Sequence, residues 1–277
     1  MIAANEATLR TDLGPAAAAL HVAQFGTGSG RPVVWLHGEW GTFEQVPELA
    51  TSSESLAGLR LLLPHHPGWG VTEEVARLGS LGELAIAYWH ALDQLDISER
   101  VLIGGHGLGA ALAAEMAVAQ PQRVRGLLLV NPVGMWKDKI GGADAFALLQ
   151  RDVLEHILAE PGGSLSLALF PKPANPHERA MAGVRRAEVL GSASRFMFPF
   201  PDTGITHRLY RLCGSRETPV KILWGKNNGV LPVALSEHWL DALPHAELEV
   251  IEDASHMLVY EQPAVVAERI AAMVASA

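Results

Sequence analysis

A carboxylate beside an imidazole can move protons, and two residues of this sequence could form such a pair: Glu39, directly after His37-Gly38, and His256, near the C-terminal end. Between them in the chain lies Gly105-His106-Gly107-Leu108-Gly109-Ala110, a glycine-rich turn joining an apolar run to an Ala-rich one. Two chemistries fit such a turn. Gly105, Gly107 and Ala110 have the spacing of a dinucleotide fingerprint, in which glycines let backbone approach a phosphate at a helix N-terminus. That reading wants an acid about 20 residues further on, at the end of the next strand. The chain has Leu128-Leu129-Val130-Asn131-Pro132 there, with no acid. The other chemistry is a strand-to-helix elbow that presents the side chain of residue 107 to a substrate. Gly107 has none, so covalent catalysis through an elbow hydroxyl is excluded.

The elements that must position these residues follow from the hydrophobic pattern. Apolar runs at 33–36, 59–63, 101–103, 127–130, 220–224 and 248–251 read as strands buried on both faces. Leu81, Leu84, Tyr88, Leu92 and Leu95 mark one face of a helix, residues 108–120 form a second that ends before Pro121, and residues 264–275 a third after Pro263. One or two further strands fit within 9–25. Strands alternating with helices predict an α/β fold with a mostly parallel central sheet and helices on both faces. The alternation stops between about 134 and 215, in a stretch holding Phe170, Phe196, Met197, Phe198 and Phe200. We therefore expect a core of 1–133 and 216–277 with a helical cap, 134–215, inserted in it.

With these elements in place, four segments together resemble the α/β-hydrolase superfamily, in particular small members with a helical cap. They are Trp35-Leu36-His37-Gly38-Glu39-Trp40-Gly41, Pro64-His65-His66-Pro67-Gly68-Trp69-Gly70, the Gly105 to Ala110 elbow, and Trp224-Gly225-Lys226-Asn227-Asn228 paired with Ala254-Ser255-His256. The resemblance implies a catalytic triad of serine, histidine and acid. It puts Gly107 at the serine position, Asn228 or alternatively Asn131 at the acid, and His256 at the histidine. It also implies an oxyanion hole made by the backbone N–H groups of Glu39 and Leu108. Serine-dependent turnover is not expected, because losing such a nucleophile costs on the order of 10⁶ in kcat. A glycine at the elbow spares the fold the strain that a serine bears at positive φ.

Several residues carry two readings. Glu39 is either a solvated loop glutamate or an acid–base partner of His256, which would favour its ionised form. Asp253 is a weaker candidate for that role and otherwise caps a strand end. Asn228 could orient His256 by accepting a hydrogen bond on its amide oxygen. Ser255 reads as a loop hydrogen-bonding residue. Trp40, Trp69, Trp136, Phe196, Phe198 and Phe200 are core packing, or else the walls of an apolar cleft. Cys213, the only cysteine, reads as a small semi-buried apolar residue.

Of 277 residues, 49% are hydrophobic and 18% charged, and the formal net charge is −9. An acidic surface is a poor match for nucleic acid or an anionic membrane. Met1 to Leu13 lacks a leader pattern and no apolar run approaches a membrane span, so a cytoplasmic location is expected. No cofactor and no metal is expected. Three functions remain open at this point: a pocket that binds a small apolar carbonyl or ester-like molecule without hydrolysis; an active lyase, decarboxylase, cyclase or water-attack hydrolase using His256 with Glu39; and an inactivated esterase or lactonase.

Overall fold

The computed structural model describes residues 7–12, 19–26, 29–41, 56, 58–75, 77–136, 140–144, 146–198, 200, 202–213 and 218–276. Eight strands form one sheet: β1 (Ala7–Asp12), β2 (Ala19–Gly26), β3 (Arg31–Leu36), β4 (Leu59–Pro64), β5 (Val101–His106), β6 (Val124–Val130), β7 (Val220–Gly225) and β8 (Glu247–Ile251). Their order is β1-β2-β4-β3-β5-β6-β7-β8. β1 and β2 run antiparallel, as do β2 and β4, and every later pairing is parallel. The loosely defined N-terminal stretch is thus a hairpin that extends the parallel sheet at one edge.

The central strands behave as their unbroken apolar character predicts, with β3, β5 and β6 buried almost throughout. β8 departs from the expectation. Its residues are half-buried or exposed, because it is the far edge strand and alternates Glu247, Leu248, Glu249, Val250. Lys221 and Arg269 pair with its glutamates and blunt the open edge.

The helix Leu81–Gln94 starts at Ser80, whose side chain accepts the Glu83 N–H, and its buried face lies against the elbow helix Leu108–Ala119. The elbow helix is buried at all but its last residue, so its Ala-rich sequence is what close packing between the sheet and a second helix requires. Between β6 and β7 come the helices Gln150–Ile157, Ser164–Leu169 and Pro176–Met197. The last of these is clipped to the turn after β4 by Ser192 donating to the Gly68 carbonyl, Arg195 donating to that of Val75, and Phe196 stacking on Trp69. Cys213 is exposed rather than semi-buried, at the end of a short 3-10 turn.

Candidate active site

Parallel sheets gather function at the carboxyl ends of their strands, where the connecting loops converge. Here β3 delivers Glu39, β5 Gly107, β6 Asn131, β7 Asn228 and β8 His256. Gly107 sits between the last residue of β5 and the first of the elbow helix, at φ +53 and ψ −115. The turn is tight enough that a Cβ on Gly109 would strike the carbonyls of Leu36 and His37.

Glu39 is not a solvated loop residue. It is 1% exposed, its Oε1 lies 2.7 Å from His256 Nε2, and its Oε2 accepts the Leu108 N–H at 3.0 Å. A Cβ built on Gly107 would overlap Oε2. The carboxylate therefore occupies the space into which a side chain at 107 would project, and it takes the N–H assigned to the oxyanion hole. Burial alone would raise the Glu39 pKa. The attraction and hydrogen bond of His256, helped by His106 and by Glu39's own backbone N–H, outweigh burial and bring it down to about 2.

Asn228 orients His256 in the opposite sense to that expected. Its amide oxygen is already taken by the N–H groups of Val230 and Leu231, so its NH₂ faces His256 Nδ1 at 3.3 Å. That contact is a hydrogen bond only when the ring proton is on Nε2, pointing at Glu39. A triad acid would hold the proton on Nδ1 instead.

Asn131 gives its amide to backbone groups and not to the His256 ring. Fully buried at φ +44, it accepts the Gly225 N–H and donates to the carbonyls of Ser255 and His256, tying β6, β7 and the histidine loop together. Asn131→Asp is expected to destabilise the fold by about 3 kcal/mol, because two buried carbonyls lose their donors and face a carboxylate. A urea midpoint equal to that of the wild type would show that the staple is dispensable.

A set of buried histidines went unnoticed in the sequence. His66 Nε2–H donates to the His37 carbonyl, His66 Nδ1 accepts the Tyr88 hydroxyl, the His66 N–H donates to His37 Nε2, and His37 Nδ1–H donates to the Gly38 carbonyl. Together with Trp69, whose indole N–H reaches the Glu39 carbonyl, they fix the loop that carries Glu39. His106 packs on Gly38 and donates to the His256 carbonyl at 2.6 Å, linking the two loops. The signal was there: His37, His66 and His106 each stand at or just past the end of a strand.

The remaining candidates lie elsewhere. Asp253 is exposed in a turn at φ +52. Ser255 is buried and donates to the carbonyls of Asn227 and His156. Trp40 packs beneath the Arg186 guanidinium, and Trp136 is 42% exposed. Phe196 and Phe198 line a groove of about 820 Å³ with Ile86, Glu115 and Arg208, and the structure does not bring Phe198, 80% exposed, to the Glu39–His256 pair.

A sequence profile of the Alpha/beta hydrolase family matches residues 33–269. The chain belongs to that family. Among relatives of this α/β-hydrolase, the 2-hydroxy-6-oxononadienedioate/2-hydroxy-6-oxononatrienedioate hydrolase of Cupriavidus pinatubonensis is 26% identical over 253 residues, covering 85% of this chain and 84% of its own. A 2-hydroxy-6-oxo-6-phenylhexa-2,4-dienoate hydrolase from Rhodococcus shares the fold at a TM-score of 0.72 and 19% identity, covering 98% of this chain and 99% of that one. A meta-cleavage product hydrolase from Pseudomonas fluorescens, a mutant solved in complex with acetates, gives 0.70 and 20%, covering 94% and 96%. None of the described helices of this α/β-hydrolase is long and apolar enough to cross a membrane.

Proposed function

We propose that this α/β-hydrolase works through a carboxylate in place of a serine hydroxyl: Glu39 and His256 act as an acid–base pair on a small, largely apolar carbonyl compound, directing water attack without a covalent serine intermediate. The meeting of Glu39 with His256 Nε2 and the Leu108 N–H, in the space a side chain at 107 would fill, carries the proposal. At a pKa of about 2 the resting carboxylate is a weak base. A substrate carbonyl that takes over the Leu108 N–H and draws the His256 Nε2–H away from the carboxylate weakens the hydrogen bond that holds the Glu39 pKa down, so basicity rises when substrate arrives. Glu39 then takes a proton from water, while the Leu108 and Glu39 N–H groups and His256 Nε2–H stabilise the oxyanion.

The relatives' substrates make 2-hydroxy-6-oxo-dienoates the first compounds to try, followed by short-chain aryl esters. Loss of the conjugated chromophore follows turnover directly. Glu39→Gln and His256→Ala are each expected to lower kcat by about 10²–10⁴-fold, and wild-type turnover that survives both substitutions refutes the proposal. A second reading, a pocket that holds such a ligand without converting it, draws support from the closed site, where His256 is 0% exposed. Calorimetric binding without chromophore loss in the wild type decides for that reading.

A further inference from the structure

Two donors converge on the Glu39 carboxylate, one on each oxygen: the Leu108 N–H on Oε2 and His256 Nε2–H on Oε1. Each is fixed by something other than the side chain it holds. Leu108 opens a fully packed helix, and the Glu39 backbone is held through Trp69. His256 is oriented by Asn228 at its ring and by Asn131 and His106 at its carbonyl. Gly107 leaves the volume in front of the donors empty of its own atoms. The socket is thus built by the backbone and by neighbouring loops, and the carboxylate reaches it on a flexible stem.

We infer that the elbow of this chain is a carboxylate-binding socket that Glu39 fills as a tethered ligand, and that a small monocarboxylate of the acetate class takes the socket when that side chain is absent. Removing the carboxylate strands buried donors without partners, an arrangement folded proteins rarely tolerate. An external carboxylate satisfies them with the same two oxygens. In the wild type the tether gives Glu39 a high effective concentration, so the free anion does not compete at millimolar levels. The inference rests on the placement of Glu39 used above and not on any turnover. It adds that an acid released by hydrolysis here would meet Glu39 as its competitor, which favours departure of the product.

The test is thermal unfolding of purified wild type, Glu39→Ala and Glu39→Gln with sodium acetate, against sodium chloride of equal ionic strength and against acetamide. At about 100 times its dissociation constant, acetate should raise the folded-to-unfolded ratio of Glu39→Ala about 100-fold. Tm should rise by several degrees, with no acetate-specific shift in the wild type, in Glu39→Gln or with acetamide. The response should vanish in Glu39→Ala/His256→Ala. Recovery of folded Glu39→Ala only in acetate supports the inference equally. Glu39→Ala that behaves alike in acetate and chloride, whether folded or not, overturns it, as does an equal acetate shift in the wild type. Failure of the catalytic proposal would show separately, as wild type without turnover beside an acetate-responsive variant.

Discussion

Taking the protein from pH 7 to pH 5 is expected to remove about 4 kcal/mol of folding stability through His66 and His106, with His37 adding to the loss in the same direction. His37, His66 and His106 are all buried, and burial is the first cause of their lowered pKa values: well below the ordinary imidazole range for His37, about 3 for His66 and about 4 for His106. Unfolding returns each to about 6.5, so below that pH the unfolded chain binds protons that the folded chain refuses. Each histidine then costs about 1.4 kcal/mol per pH unit, and the loss continues until pH reaches its folded pKa. The sign is opposite for carboxylates held low. Glu39, lowered to about 2, contributes stability that is present above about 4.5 and lost between there and 2, so it takes no part in the change from 7 to 5. A loss of this size is a large share of the whole stability of an ordinary domain, about 5–15 kcal/mol. Urea midpoints at pH 7, 6 and 5 measure it. Flat stability over that range would mean that the folded imidazoles take up protons at the same pH as the unfolded ones.

The second large effect concerns residue 107. Gly107→Ser is expected to destabilise the protein by about 4 kcal/mol, from a side chain forced into an occupied site and from the disrupted Glu39–His256 pair. Serine at this backbone conformation adds strain that glycine avoids, and the overlap is with Glu39 Oε2, which can move aside only by giving up its bonds to His256 and Leu108. Combining the change with Glu39→Ala removes the collision. The double variant should therefore recover about 2–3 kcal/mol relative to the sum of the single changes. Simple additivity in a denaturation cycle would show that the two residues do not share the space. The same collision bears on the idea of an inactivated esterase: Gly107→Ser with Asn228→Asp leaves Glu39 where the new side chain would project, so a test of that idea has to change position 39 as well.

The fold was legible because its central strands are short, unbroken apolar runs, and a strand buried on both faces cannot be written otherwise. β8 misled for the same reason in reverse. Leu248, Val250 and Ile251 look like a core strand, while Glu247 and Glu249 mark the edge and were left outside the run or inside it without weight. The pairing of Glu39 with His256 was legible only as one option, because a glutamate after a glycine reads alike whether it meets solvent or imidazole. What distinguishes the cases is the missing side chain at Gly107, some seventy residues away in sequence, which leaves room for a carboxylate. Asn131 and Asn228 looked like eroded acids. In the structure Asn131 satisfies backbone groups on neighbouring loops, contacts that no local pattern announces, whereas Asn228 closes its own turn by accepting the Val230 and Leu231 N–H groups and so turns its NH₂ to the His256 ring.

The single volume shared by residues 39 and 107 also orders the ways in which a chain can travel between serine chemistry and the present arrangement. With glycine at 107, position 39 is free to be small or to carry a glutamate. With serine at 107, a glutamate at 39 has to leave this pose. A lineage can therefore lose its elbow hydroxyl first and acquire the inward carboxylate afterwards, each step leaving a packed protein. The reverse walk starts with a collision unless position 39 is cleared beforehand. Occupancy of one small space thus couples the residue types that positions 39 and 107 can hold together, although the two lie far apart in the gene.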